Sequence, residues 1–84
     1  MSEREVSPTV FRVAGFRYFF FSREEPRMHV HVRSAECEAK YWLEPAIELA
    51  ENYRLRQSQL KEIEKTIRAR YDELVKAWKD HFGS

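Results

Sequence analysis

The chain has 84 residues with 15 Lys or Arg against 14 Asp or Glu, which gives a formal net charge of +1. This length allows one small domain, and an aromatic content of 14% excludes an intrinsically disordered chain. The balanced charge excludes a uniformly basic nucleic-acid binder, and the single cysteine excludes an internal disulfide framework. The longest apolar run, residues 18–21, is far too short for a membrane span.

The first half of the chain predicts a β-hairpin and a third strand. Residues 9–13 and 16–22 are rich in β-forming side chains, and Ala14-Gly15 between them predicts a tight turn in which glycine supplies a positive φ. After a polar loop, apolar and polar residues alternate strictly over residues 28–33, which is typical of a half-buried strand.

Residues 37–43 predict a fourth strand. Every connection between the four strands is too short for the crossover that parallel strands need, so we expect a four-stranded antiparallel meander. Residues 1–7 are interpreted as an N-terminal arm, and residues 8–83 as a single α+β domain.

The second half of the chain favours helix. A short helix is expected to begin at Glu44-Pro45, because proline suits the first helical turn, and to end near Asn52. A long helix is expected over residues 58–81, since apolar residues three and four apart form one stripe. The stripe consists of Leu60, Ile63, Ile67, Tyr71, Leu74, Trp78 and Phe82. We expect it to pack on one face of the sheet.

The opposite face of the sheet is predicted to carry polar side chains. Because side chains alternate along a strand, His29, His31 and Arg33 share the face that no helix covers. The neighbouring strands add the remaining candidates for phosphate or partner binding, which are Arg12, Arg17, Lys40 and Trp42. The nearly neutral total charge would then conceal a local basic patch with aromatic neighbours. A register shift of one residue would invert this assignment.

His29 and His31 lie two apart on one strand, so their rings should project from the same side about 7 Å apart. One interpretation is metal-independent RNA cleavage, in which one imidazole takes a proton from a ribose 2′-hydroxyl and the other protonates the leaving oxygen. Arg17, Arg33 or Lys40 would stabilise the phosphorane. A second interpretation is a metal site that borrows a ligand from Glu38 or from another chain. The third is that the histidines make hydrogen bonds on the surface or contact a partner.

Several motifs along the chain carry a family resemblance. They are Ser7-Pro8-Thr9-Val10-Phe11-Arg12, Gly15-Phe16-Arg17-Tyr18-Phe19-Phe20-Phe21-Ser22, His29-Val30-His31-Val32, Glu38-Ala39-Lys40 and Trp42-Leu43-Glu44-Pro45. Together they resemble a small bacterial family known as domain of unknown function 4160. The chain departs from it at Arg27-Met28, where family members usually have prolines, and residues 1–6 extend beyond the usual start.

The resemblance implies a bacterial protein whose gene lies beside another small gene, in an arrangement similar to a toxin–antitoxin pair. It implies no catalytic residue. We therefore expect a component of such a module that binds the small protein encoded by the neighbouring gene, through its sheet face or an edge strand. If the protein is the toxin, RNA is its substrate, with His29 and His31 as acid and base.

The same interpretation includes neither a cofactor nor a membrane, and the single cysteine without a secretory signal favours the cytoplasm. A non-catalytic interaction module is the alternative function. A protein that binds metal through the His-x-His pair is a weaker one. Formation of a homodimer is a further possibility that the sequence leaves open.

Overall fold

Five antiparallel strands followed by two helices make up the fold. The computed structural model describes residues 9–21 and 26–83. The elements are β1 (Thr9–Val13), β2 (Phe16–Phe19), β3 (His29–Arg33), β4 (Glu38–Trp42), β5 (Glu48–Tyr53), α1 (Gln57–Ala69) and α2 (Tyr71–Phe82). The strands lie side by side in chain order. The α+β class, the antiparallel meander and its first four strands are therefore confirmed, whereas the predicted arm (residues 1–7), Pro8 and Ser22 lie outside the described residues.

The β1–β2 turn follows directly from the sequence. Ala14 and Gly15 have φ values of 51° and 84°, and two positive φ values in a two-residue loop characterise the type I′ turn that suits the twist of a hairpin. The turn pairs Val13 with Phe16 and Arg12 with Arg17. The predicted role of the glycine is confirmed, and Ala14 adopts the left-handed conformation as well.

The expected short helix between Glu44 and Asn52 is wrong, because this segment contains β5. Glutamate, leucine and alanine favour helix locally, but pairing with β4 overrides that weak preference. Tyr41 pairs with Leu49 and Lys40 with Glu51, with a register shift between the two pairs. Since β5 is an edge strand whose side chains are mostly exposed, it lacks the alternation that identifies a half-buried strand.

The expected long helix is also wrong, because it is divided into α1 and α2. Arg70 leaves the helical conformation with φ −116° and ψ 26°, although neither glycine nor proline marks the site. The predicted apolar stripe nevertheless continues through both helices. Its buried members are Leu60, Ile63 and Ile67 on α1, and Leu74 and Trp78 on α2. Neither helix has the length and apolar character that crossing a membrane requires.

The core lies between α1 and the face of the sheet that we call the helix face. Five residues on the helix face are buried, and they are Val30, Val32, Ala39, Tyr41 and Leu43. The Tyr41 hydroxyl reaches α1, where it donates to the Glu64 carboxylate at 3.1 Å. Burial of these side chains supplies most of the stabilisation available to so small a domain.

The helix α2 lies against the end of the sheet where β2 ends and β3 begins. The Tyr71 hydroxyl donates to the carbonyl of Leu43 at 2.7 Å. Trp78 packs edge-on against Phe20 and against His29, with ring centroids 5.3 and 5.2 Å apart. This position of α2 decides the environment of the histidine pair.

Candidate functional site

The predicted site residues lie on the sheet face opposite the helix face, which we call the basic face. Strand pairing places three of them in one transverse row, since Arg12 pairs with Arg17 and Arg17 pairs with Arg33. We call Arg12, Arg17 and Arg33 the arginine row. Glu38 on β4 continues the same line, and its carboxylate accepts a hydrogen bond from Arg33 Nε at 3.2 Å.

The arginine row concentrates positive charge. Like charges directly opposite each other on neighbouring strands destabilise a sheet. Partial burial of Arg17, followed by the positive charges of Arg12 and Arg33, lowers the pKa of its guanidinium from the ordinary value. Arg17 is held in place because its Nε donates to Thr9 Oγ1 at 2.6 Å. Such an arrangement favours an anion at the surface.

A second transverse row crosses the strands next to the arginine row. Phe19 pairs with His31, and His31 pairs with Lys40. Phe19 is fully buried, and the guanidinium groups of Arg17 and Arg33 lie 4.4 and 5.1 Å from its ring centroid. The two arginines therefore cover an aromatic ring in the way that cation–π contacts allow.

The third row contains His29 and Trp42, which are cross-strand partners on β3 and β4. Two cations cover the Trp42 ring, with Arg27 4.0 Å and Lys40 4.5 Å from its centroid. Arg27 also donates from Nε to the carbonyl of Glu44 at 2.9 Å. The sequence prediction missed Arg27, although extending the alternation of β3 two residues back from His29 would have assigned it to this face.

The expectation that the two histidines project from an uncovered face is wrong. His29 is 0% exposed and His31 is 8% exposed. The ring of His29 packs edge-on against Trp42 at 5.5 Å and Trp78 at 5.2 Å, and its Nδ1 forms a 2.6 Å hydrogen bond with the carbonyl of Arg27. The physical reason is that β3 is the central strand of five and that α2 covers its first residue, so both sides of the strand are buried.

The two imidazoles contact each other and a set of aromatic rings. Their centroids are 5.2 Å apart, and His31 also lies 5.5 Å from Phe19 and 4.5 Å from Phe21. Its Nδ1 is 3.9 Å from a carboxylate oxygen of Glu38. A general acid or base has to reach the proton that it transfers, whereas these rings are enclosed by packing.

The described residues also bear on the metal-binding interpretation of the histidine pair. A stable site needs three or four ligands from His, Cys, Asp or Glu at suitable positions. Within residues 9–21 and 26–83, no cluster of three such side chains is arranged to hold a metal ion. The two histidines and Glu38 therefore do not form a ligand set within this part of the chain.

A groove with a volume of about 330 Å³ lies between the β1–β2 hairpin and α1. Its lining is mainly apolar, including Phe16 and Ile63, and Glu62 is the charged residue among those that line it. The groove offers space for an apolar group but contains neither an acid–base pair nor a cluster of cations.

The family model for a domain of unknown function, DUF4160, matches residues 15–79. The chain belongs to this family. The match extends from the glycine of the β1–β2 turn almost to the end of α2, so the DUF4160 region contains both histidines, Arg17 and Arg33, while Arg12 lies before it. No curated protein and no solved structure matches the chain. The resemblance to this family is confirmed, and membership by itself assigns no function to any residue.

Proposed function

We propose that this DUF4160 protein is a non-catalytic interaction module that binds a small protein partner through its basic face, as one component of a toxin–antitoxin-like pair. The observation that carries the proposal is the division of the face into two layers. The cations lie at the surface, while the histidines that would perform catalysis are enclosed below it.

The accessible groups of the basic face are suited to recognition. Arg12 and Arg33 are exposed, and Lys40 and Trp42 are half-buried. Guanidinium and ammonium groups form charge-assisted hydrogen bonds with carboxylates, and a partly exposed tryptophan adds apolar contact area. Electrostatic complementarity of this kind gives specificity and a fast association rate.

The alternative of a metal-independent ribonuclease requires that a phosphodiester contact both imidazoles. His29 is fully buried against Trp42 and Trp78, so its ring is part of the packing at this end of the sheet. The geometry therefore supports binding better than catalysis, and we assign the His-Val-His-Val motif mainly to the core.

The test uses the purified chain together with the protein encoded by the neighbouring gene. We expect a stoichiometric complex in size-exclusion chromatography and calorimetry. The substitutions Lys40→Gln and Trp42→Leu should weaken it by at least tenfold, because both residues are partly exposed on the basic face. Lys65→Gln, on an exposed part of α1, is the matched control and should leave binding unchanged.

Two results would overturn the proposal. One is the absence of any complex between the two proteins. The other is RNA cleavage by the purified chain that disappears in His31→Gln while the circular dichroism spectrum and unfolding midpoint stay the same. In that case the histidine pair is catalytic and the ribonuclease interpretation is correct.

A further inference from the structure

The arginine row has a fixed geometry that limits what it can bind. Neighbouring strands are about 4.8 Å apart, so three cross-strand partners span about 10 Å. The middle residue, Arg17, is held by Thr9 at 2.6 Å and by the Phe19 ring at 4.4 Å. Because this guanidinium is already positioned, less side-chain entropy is lost when an anion binds to it.

Beyond the arginine row, the basic face carries both signs of charge. The arginine row occupies β1 to β3 without a carboxylate between its members, whereas the same side of β4 and β5 carries three carboxylates beside Lys40. These are Glu38, Glu48 and Glu51, each paired in register with a residue of the same face. A nucleic-acid strand is negatively charged along its whole length, so on leaving the arginine row along this line it would meet the Glu38 carboxylate. A short anionic segment that ends there would not.

We infer that the arginine row is the docking site for an acidic segment of the partner protein, in which two carboxylates lie between the three guanidinium groups. The inference rests on the proposed function and names the chemistry of its partner. Side chains at alternate positions of an extended segment are about 7 Å apart on one side. Two carboxylates at that spacing fit within a row about 10 Å long, and each can accept hydrogen bonds from two neighbouring guanidinium groups.

The far end of the same line adds an apolar contact. Tyr53 on β5 pairs with Glu38 and is 63% exposed. An acidic segment that crosses the sheet along the arginine row and continues over β4 would place an apolar or basic residue near this ring. We therefore expect the bound segment to be acidic at one end only.

The experiment uses a fluorescently labelled twelve-residue peptide with two glutamates at alternate positions near one end and serine at the other positions. Its binding to the full chain is measured by fluorescence anisotropy at low and at physiological salt. The test variant is Arg12→Gln with Arg33→Gln, which leaves the contacts of Arg17 intact. The control variant is Lys61→Gln with Lys65→Gln on the exposed side of α1, which removes the same total charge.

We expect the test variant to bind the peptide at least tenfold more weakly than the wild type, and the control variant to bind it within twofold. A peptide with glutamine in place of glutamate should not bind. The single substitution Arg12→Gln, at an exposed residue, repeats the measurement with less risk to the fold and should weaken binding severalfold.

Three results would overturn the inference. The first is equal weakening in the test and control variants, since binding would then reflect total charge only. The second is tighter binding of a twelve-nucleotide single-stranded RNA than of the peptide, with the same dependence on the row, because the ligand would then be nucleic acid. The third is full binding of the neighbour-encoded protein to the test variant, in which case the proposed function holds and the arginine row is not its docking site.

Failure of the proposed function gives a different result. If the neighbour-encoded protein does not bind the wild-type chain but the acidic peptide binds with the expected dependence on the row, the inferred ligand chemistry stands. The choice of partner is then incorrect.

Discussion

Replacing His29 by alanine tests whether the first histidine of the His-Val-His-Val motif belongs to the core. The ring is fully buried and packs edge-on against Trp42 and Trp78. Two aromatic contacts contribute about 1 kcal/mol each, and the hydrogen bond between Nδ1 and the carbonyl of Arg27 contributes about 1 kcal/mol more. With the cavity that remains, the free energy of unfolding should fall by about 3–4 kcal/mol.

Urea denaturation, followed by tryptophan fluorescence and circular dichroism at neutral pH, measures this loss. His81→Ala is the matched control, because His81 is exposed near the end of α2 and should change the free energy of unfolding by less than about 0.5 kcal/mol. A loss below about 1 kcal/mol for His29→Ala, or one equal to that of the control, would refute the burial argument.

The size of this effect matters for any assay of function. A domain of this size has a total stability of only about 5 kcal/mol, so His29→Ala would be partly unfolded at growth temperature. Loss of an activity in that variant would then report unfolding. His31 is better suited to a functional test, because it keeps a small exposed fraction of 8% and glutamine replaces it with a polar side chain of similar length.

Three further predictions concern the hairpin, the buried tyrosine and the turn before α1. Burial, followed by the Glu64 carboxylate, raises the pKa of Tyr41. The folded state therefore holds the Tyr41 proton more tightly than the unfolded state does. This contribution to the free energy of unfolding is complete below about pH 10 and is lost as the pH rises further. Urea denaturation between pH 8 and 11 should therefore show that the free energy of unfolding falls more steeply with pH for the wild type than for Tyr41→Phe. Parallel plots of this free energy against pH would contradict the prediction. Ala14→Asn should raise the free energy of unfolding by about 0.5 kcal/mol, since asparagine tolerates a positive φ better than alanine does; a decrease would show that the turn is not of the I′ type. The side chain of Asn52 accepts a hydrogen bond from the Leu55 amide at 3.0 Å and donates one to the Leu55 carbonyl at 3.1 Å. Asn52→Ala should therefore lower the free energy of unfolding, measured by thermal or urea denaturation, by about 1–2 kcal/mol. Asn52→Asp, which keeps only the acceptor, should cost about half as much, and equal effects would assign the stabilisation elsewhere.

The elements that the sequence predicts correctly are those whose burial is one-sided or whose turn chemistry is local. Val30 and Val32 alternate with polar residues and are buried against α1 as expected. The two-residue turn at Ala14-Gly15 fixes the register of the hairpin, so the pairing of Arg12 with Arg17 follows from the sequence alone. The pairing of Arg17 with Arg33 does not, because a longer loop separates the strands.

The elements that the sequence misses depend on contacts made far along the chain. Strand β5 begins with the helix-forming residues glutamate, leucine and alanine, and it forms a strand through pairing with the edge of β4. Burial of His29 depends on Trp78, which is 49 positions away and lies on α2, after the interruption of the helical region at Arg70. No local pattern in the sequence encodes either interaction.

The basic face is best understood as the way in which a very small domain covers its second sheet face. A larger α+β protein can place further helices there, but here the described helices pack on the helix face and at one end of the sheet. The rings of Phe19 and Trp42 are instead covered by the side chains of Arg17 and Arg27 and their cationic neighbours. Long cationic side chains exclude water from aromatic rings along their stems while the charged groups stay at the surface. The same arrangement that completes the core therefore also produces a dense cationic surface, and this is why packing and the proposed anion recognition coincide on one face.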